Sequence, residues 1–214
     1  MTASAIDPAL QRDLDNLAPA EMLVGYRLIS PGDEHALLDE EAAAIASSVI
    51  AVRSASGAAR IVARRLLAQF GYGSVVLPKA PSGAPVWPAG IVGSMTHDDQ
   101  IAVAAMGLQR DFACIGIDVE PAVPLPPDML TLVAKPEELR QIANEPLGGK
   151  LLFGLKEAVY KAVYPLDGIF LEFQDIAVDL AGRTATTQGG RVVALRYGVS
   201  SHVLALAFCR TGAS

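Results

Sequence analysis

The chain has 214 residues, 51% hydrophobic and 19% charged, which is enough apolar material for a packed core and excludes a disordered chain. Seventeen Lys and Arg against 23 Asp and Glu give a net charge of −6, which argues against general nucleic-acid binding. The charge is uneven: residues 1–41 hold nine acids, residues 42–97 hold none but five bases (Arg53, Arg60, Arg64, Arg65, Lys79), and ten acids return between 118 and 175. An acid-free basic stretch in an acidic protein fits a local anion site, and fits an Ala-rich core segment as well.

In chain order, the first residues carry Asp7, Asp13 and Asp15 and lack a basic segment followed by an apolar run, so no secretory signal is expected. Residues 36–70 are rich in Ala, Leu and Arg, lack Pro and end at Gly71, which predicts one or two helices. Arg53 and Arg60 lie about two turns apart and share a face, extended by Arg64. Within this region the longest uncharged apolar run, 42–52, is too short to span a bilayer, so the expectation is a soluble, cytoplasmic protein without membrane contact. Residues 71–93 are crowded with Gly and Pro and predict a long ordered connection, with the single Trp, Trp87, pinning it to the body. The alternation of Ile101, Val103 and Ala105 predicts a strand. A second strand is expected over Ile115–Glu120, and a loop or weak helix over 128–149. A helix is expected over 150–164, stopped by Pro165, and strands over 169–173, 176–180, 191–197 and 202–208. The resulting fold class is α+β, with helix-rich and strand-rich stretches in both halves. Cys114 and Cys209, far apart and in apolar surroundings, read as buried free thiols, and the three histidines have no metal-ligand spacing.

Three motifs carry chemistry. In Ile115-Gly116-Ile117-Asp118-Val119-Glu120 the apolar side chains take one face of the strand, and Gly116, Asp118 and Glu120 take the other. Two carboxylates roughly 6–7 Å apart along one face suit a hard cation such as Mg²⁺, and equally describe the solvated end of a strand. In the helix at 151–162, Glu157 and Lys161 are four residues apart on one face, either as a surface ion pair or as a third carboxylate plus a phosphate-binding cation. Gly93-Ser94-Met95-Thr96-His97 offers a hydroxyl, an imidazole and small residues to an anion, although a single His is also a common structural residue. Walker-type, dinucleotide and nucleophile-elbow signatures do not match this sequence.

Taken in order, Trp87-Pro88, Gly93-Ser94-Met95-Thr96-His97, Gly116-Ile117-Asp118-Val119-Glu120 and Phe153-x-x-Lys156-Glu157-Ala158-x-x-Lys161-Ala162 resemble the surfactin-type 4′-phosphopantetheinyl transferases, particularly the branch serving siderophore and mycobacterial-type lipid synthesis. The resemblance implies two similar α+β halves related by a pseudo-twofold axis, here 1–114 and 115–214, with coenzyme A in the cleft between them and the protein acting as a monomer. It implies transfer of the phosphopantetheine arm to a serine of an acyl or peptidyl carrier protein in fatty-acid, polyketide or nonribosomal-peptide synthesis, with release of adenosine 3′,5′-bisphosphate. It places Asp118, Glu120 and Glu157 on Mg²⁺ (Mn²⁺ being an alternative), Lys161 on the pyrophosphate, and Glu157 as base for the serine. Lys156 would line the site. Thr96 and His97 would contact the 3′-phosphate, flanked by Arg53, Arg60 and Lys79. Gly154-Leu155 and Asp98-Asp99 depart from the pattern, and two acids turned inward beside His97 would weaken anion binding. The competing readings are a Mg²⁺-dependent phosphodiesterase and a non-catalytic coenzyme A binding protein.

Overall fold

The computed structural model describes residues 8–212; residues 1–7, which include part of the segment read for a targeting signal, and 213–214 lie outside the described residues. Helix α1 (Pro8–Leu17) leads into β1 (Leu23–Leu28), then a short α2 (Asp39–Ala43) and the long α3 (Ile50–Gln69). After the Gly/Pro connection come β2 (Ile91–His97), β3 (Ile101–Leu108) and β4 (Phe112–Pro121). Helices α4 (Pro127–Val133), α5 (Pro136–Gln141) and α6 (Gly148–Asp167) precede β5 (Ile176–Asp179), β6 (Thr184–Thr187), β7 (Val192–Val199) and β8 (His202–Arg210). All pairings are antiparallel, in a three-stranded sheet ordered β1-β3-β2 and a five-stranded sheet ordered β4-β8-β7-β6-β5. The fold is therefore α+β, as expected. Among the described residues no helix is long and apolar enough to cross a membrane.

The two sheets meet where β2 packs along β4. Helix α3 covers the first sheet, and α6 lies across β4 and β8 of the second. The strand alternation at β4 holds: Ile115, Ile117 and Val119 join Tyr26, Val103, Leu204, Leu206 and the apolar face of α1 in one shared core. The opposite face of β4 receives α6, and Gly116 makes this possible, because a Cβ there would overlap the carbonyl oxygen of Ala158. Helix and strand thus approach until backbone touches backbone, with Asp118 and Glu120 at the exit of that contact.

Several expectations need correction. Helix α6 runs through Pro165 to Asp167. A proline in the last turn removes one ladder bond, and the turn still closes through Gly168, whose left-handed backbone (φ 65) lets its N–H reach the Tyr164 carbonyl at 2.8 Å. Residues 169–172 form no strand, and a 3₁₀ turn follows at Phe173–Asp175. Gly93–His97, to which no strand was assigned in advance, are themselves strand, paired along their whole length with β3. Strands β1 and β6 were not anticipated. The 128–149 region resolves into α4 and α5. Trp87 packs against the core under α3, as the composition of its loop implied. Cys114 and Cys209 are free, but they face each other across the β4–β8 ladder and only Cys114 is fully buried. Hydrogen bonding to Cys209 and burial push the Cys114 thiol up, and the same hydrogen bond draws Cys209 down to about 7.

Candidate active site

Four elements converge at one end of the β2–β4 seam. Strand β4 supplies Asp118 and Glu120, α6 supplies Glu157 and Lys161, β2 supplies Thr96 and His97, and α3 with the following loop supplies Arg60 and Lys79. The centre is a buried contact among three of them. Asp118, 4% exposed at its side chain, accepts through Oδ1 from Thr96 Oγ1 at 2.9 Å and from Lys161 Nζ at 2.5 Å. Lys161 also donates to Thr96 Oγ1 at 3.2 Å. Asp118 Oδ2 is buried and has no hydrogen-bond partner. A buried carboxylate oxygen left unpaired is costly in a folded protein unless a ligand or ion completes it.

Glu120 pairs with Lys150 at 3.0 Å, and Lys150 also lies over the Phe153 ring. Burial raises the Glu120 carboxyl above its ordinary range, with Lys150 opposing and the Asp118 charge adding to the rise. Burial likewise raises Glu157; Lys161 pulls it down, and Asp118 and Glu120 push it up. The three acids therefore sense one another's charge across a common space. They are not drawn into a closed metal-binding cluster, and among the described residues no group of three or more metal-ligand side chains is assembled. Lys150 and Lys161 occupy the carboxylates instead. The donor set nevertheless fits a hard divalent cation: all-oxygen, anionic, with one buried oxygen unused, and Mg²⁺ characteristically takes one or two carboxylates and completes its shell with water and phosphate.

The anion side is a cavity of about 150 Å³ lined by Arg60, Lys79, Thr96, His97, Ser56 and Met95. Arg60 is 3% exposed and heavily engaged: it donates to the Leu77 carbonyl from Nε and Nη2, to Ser56 from Nη1, and lies 3.5 Å from Glu41. Burial lowers its pKa, Glu41 opposes that, and Arg64 adds to it. Lys79 and His97 are exposed at the mouth. Gly83, Pro85 and Met95 also line a second cleft, of about 430 Å³, which continues past Lys161 to Trp87, Ile115, Tyr160 and Pro165. With cations lining the first cavity and apolar and aromatic side chains lining much of the second, the adjoining pair suits an elongated ligand with a phosphate-rich head and a neutral tail.

Two anticipated residues stand elsewhere. Arg53 is not among the residues lining the cavity, although its Nε is buried without a hydrogen bond. Lys156 does not meet the other site residues at their centre: it is fully buried and donates to Glu138 at 2.7 Å, to the Val133 carbonyl at 2.7 Å and to the Phe173 carbonyl at 3.0 Å. The helix turns about 100° per residue, so a lysine next to Glu157 in sequence projects from a different face. Arg64 is structural, bound to the buried Glu41 and to the carbonyls of Val75 and Ala36. Gly154 is buried against β4 and β8, where a Cβ would meet Ala205 Cβ and Asp118 Oδ2 at 3.6 Å each, an ordinary contact distance, and Leu155 is fully buried in the core behind the site. Asp98 turns away from the cavity, so the acid beside His97 does not oppose an anion there.

Sequence reasoning missed Lys150, Glu41 and Glu138. Glu41 and Glu138 are both fully buried, and each reaches back to the backbone N–H three residues before it, on Leu38 at 2.9 Å and on Lys135 at 2.7 Å. Each also binds a strand or loop N–H, of Leu77 or of Val178, and a cation on the long helix of its own half. A signal was present: Glu40-Glu41 followed by Ile45-Ala46 is matched by Glu137-Glu138 followed by Ile142-Ala143.

Comparison with known proteins identifies the family. A family model described as the 4′-phosphopantetheinyl transferase N-terminal domain matches residues 40–107, and one described as the 4′-phosphopantetheinyl transferase superfamily matches residues 114–209. The 4′-phosphopantetheinyl transferase Svp of Streptomyces mobaraensis is 38% identical over 168 residues, covering 74% of this chain and 68% of the relative. The transferase Npt of Nocardia iowensis is 38% identical over 165 residues, covering 76% and 74%. PptT of Mycobacterium tuberculosis is 36% identical over 142 residues, covering 64% and 63%. On this coverage and identity the chain belongs to the 4′-phosphopantetheinyl transferase superfamily and is an enzyme of that class.

Proposed function

We propose that this enzyme transfers the phosphopantetheine arm of coenzyme A to a serine of an acyl or peptidyl carrier protein, with Mg²⁺ (or Mn²⁺) as cofactor and adenosine 3′,5′-bisphosphate as leaving group. The observation that carries the reading is the pair of adjoining cavities that share Gly83, Pro85 and Met95, one lined by Arg60, Lys79 and His97 and the other by Lys161, Trp87 and Tyr160. Their polarity follows coenzyme A: a nucleotide 3′-phosphate for the cationic cavity, a pyrophosphate at Lys161, a neutral pantetheine arm for the apolar cleft.

Asp118, Glu120 and Glu157 would hold the metal. A bound Mg²⁺ supplies charge neutralisation at the pyrophosphate. Lys161, already within reach of Asp118, moves onto a pyrophosphate oxygen and shares the charge that develops as the phosphoanhydride breaks. Glu157, raised by burial, takes the proton of the incoming serine. Thr96, His97, Arg60 and Lys79 seat the 3′-phosphate, with Arg53 at one remove. Lys156 fixes the orientation of α6 from behind. We divide the chain functionally into 1–114, the nucleotide side, and 115–214, the metal side. The exposed Val123 and Leu132 in the segment after β4 are the apolar contacts offered to a carrier domain.

The test is mass spectrometry of a panel of apo carrier proteins from fatty-acid, polyketide and siderophore-type nonribosomal-peptide systems, incubated with enzyme, coenzyme A and Mg²⁺. A serine-borne phosphopantetheine adduct is expected on at least one, and none without the metal. Binding of coenzyme A with no adduct on any carrier overturns catalysis, and cleavage of coenzyme A without an acceptor points to a phosphodiesterase.

A further inference from the structure

Two hairpin tips meet beside the site, one from each sheet. The β2–β3 turn is closed by Asp98, whose backbone N–H donates to the Ile101 carbonyl at 3.0 Å and whose Oδ1 accepts from the N–H groups of Gln100 and Ile101, each at 2.7 Å. The β7–β8 turn is Ser200-Ser201, and His202 opens β8 directly opposite Pro121, the residue after Glu120. The second Asp98 oxygen, Oδ2, is not used by its own turn. It lies 3.1 Å from Nε2 of His202, with the imidazole 10% and the carboxylate 6% exposed. The other imidazole nitrogen, Nδ1, is 3.1 Å from Ser201 Oγ. The Asp98 oxygen left over by one hairpin is buried without a hydrogen bond and thus faces an imidazole from the other across an ion-pair contact.

We propose that Asp98 and His202 form a clasp that positions Thr96 and His97 against Asp118 and Glu120, so that both are positioning residues for the cationic cavity. Strands β2 and β4 belong to different sheets, so no ladder fixes their relative shift. The Thr96–Asp118 hydrogen bond pins them at the centre of the site. The clasp pins them at its outer end: Asp98 follows His97 in β2's turn, and His202 is laddered to Pro121 at the end of β4. It also holds the Asp98 charge away from the cavity that His97 lines. Losing His202 would loosen the tip and release an anion one residue from the phosphate seat.

This inference rests on the assignment of that cavity to the 3′-phosphate, and 3′-dephospho-coenzyme A separates the two claims. Calorimetry compares both nucleotides on the wild type, His202→Ala, His202→Gln, Asp98→Asn and the double variant Asp98→Asn/His202→Ala, with transfer kinetics alongside. His202→Ala should weaken coenzyme A binding and raise its KM roughly fivefold, with kcat within about twofold and dephospho-coenzyme A affinity unchanged. His202→Gln, which keeps an amide N–H donor, should recover most of the loss, and the double variant should be no worse than His202→Ala. Wild-type coenzyme A affinity in a folded His202→Ala or Asp98→Asn, an equal loss of both nucleotides, or additive effects in the double variant overturns the clasp. A wild type that does not distinguish the two nucleotides overturns the phosphate assignment instead.

Discussion

Helix α6 carries two lysines, each paired to a carboxylate from another element. On the rear face, Lys156 is fully buried and meets three acceptors, and its partner Glu138 accepts in addition from the N–H groups of Lys135 and Val178. On the front face, Lys161 is 29% exposed and shares one oxygen of Asp118 with Thr96, while the other oxygen has no partner. Charge type and helix are the same, yet the rear pair is closed on every side and the front pair stops short. A buried polar group in a framework must find all its partners, because each unmet one is a direct cost. A group kept for a ligand must not. Completion, more than identity or sequence position, separates the framework lysine from the working one.

The comparison breaks most sharply on the front face. Asp118→Ala should lower transfer at least about 10³-fold, measured as adduct formed per enzyme per minute, while circular dichroism stays that of the wild type. On the rear face the loss should appear as stability. Glu138→Gln leaves a buried ammonium short of its counter-charge, a class of change that costs about 3–5 kcal/mol, and Tm by scanning fluorimetry should fall by roughly 10 °C. Lys161→Ala is the matched front-face change: roughly a 10²-fold loss of kcat is expected, with a Tm shift of no more than about 2 °C. The smallest effect has the opposite sign. Burial and neighbouring carboxylates hold Glu157 above its unfolded value of 4.5. The unfolded chain therefore loses that proton first as pH rises, and the folded state loses stability across the window up to the raised native value. In metal-free buffer Glu157→Gln should raise Tm by about 2–4 °C at neutral pH, and the gain should vanish as pH is lowered toward 4. An unchanged or lowered Tm would mean that Glu157 is not held under strain.

How much of this was legible in sequence depended on the reach of each interaction. The β4 alternation, the Gly71 stop after α3 and the course of α6 rest on neighbours within a few residues, and these were readable. Strand β2 was not, because Gly93 and Ser94 lack strand-forming bulk and are held by pairing with β3. The alternation at Ile169–Phe173 misled for the reverse reason, since no partner strand lies beside it. Asp118, Glu120, Glu157 and Lys161 were legible as candidates from their spacing on one strand and one helix. Lys156 was drawn to the site by the family resemblance, and only the position of Glu138 shows which way it faces. His202 has no local signal: its partner lies on the far hairpin, and tertiary structure alone brings them together.

The contact of Gly116 with Ala158 has a consequence for redesign. Between the strand acids and the helix acid two main chains touch, and Gly116 leaves no room there for a side chain. If the exposed Val123 and Leu132 contact the acceptor as proposed, exchanging them leaves in place both this contact and the Glu138–Lys156 pair behind the reactive centre. A methyl group at position 116 would instead move the whole centre at once, so this single site is a poor place to begin a library and a sensitive place to detune one.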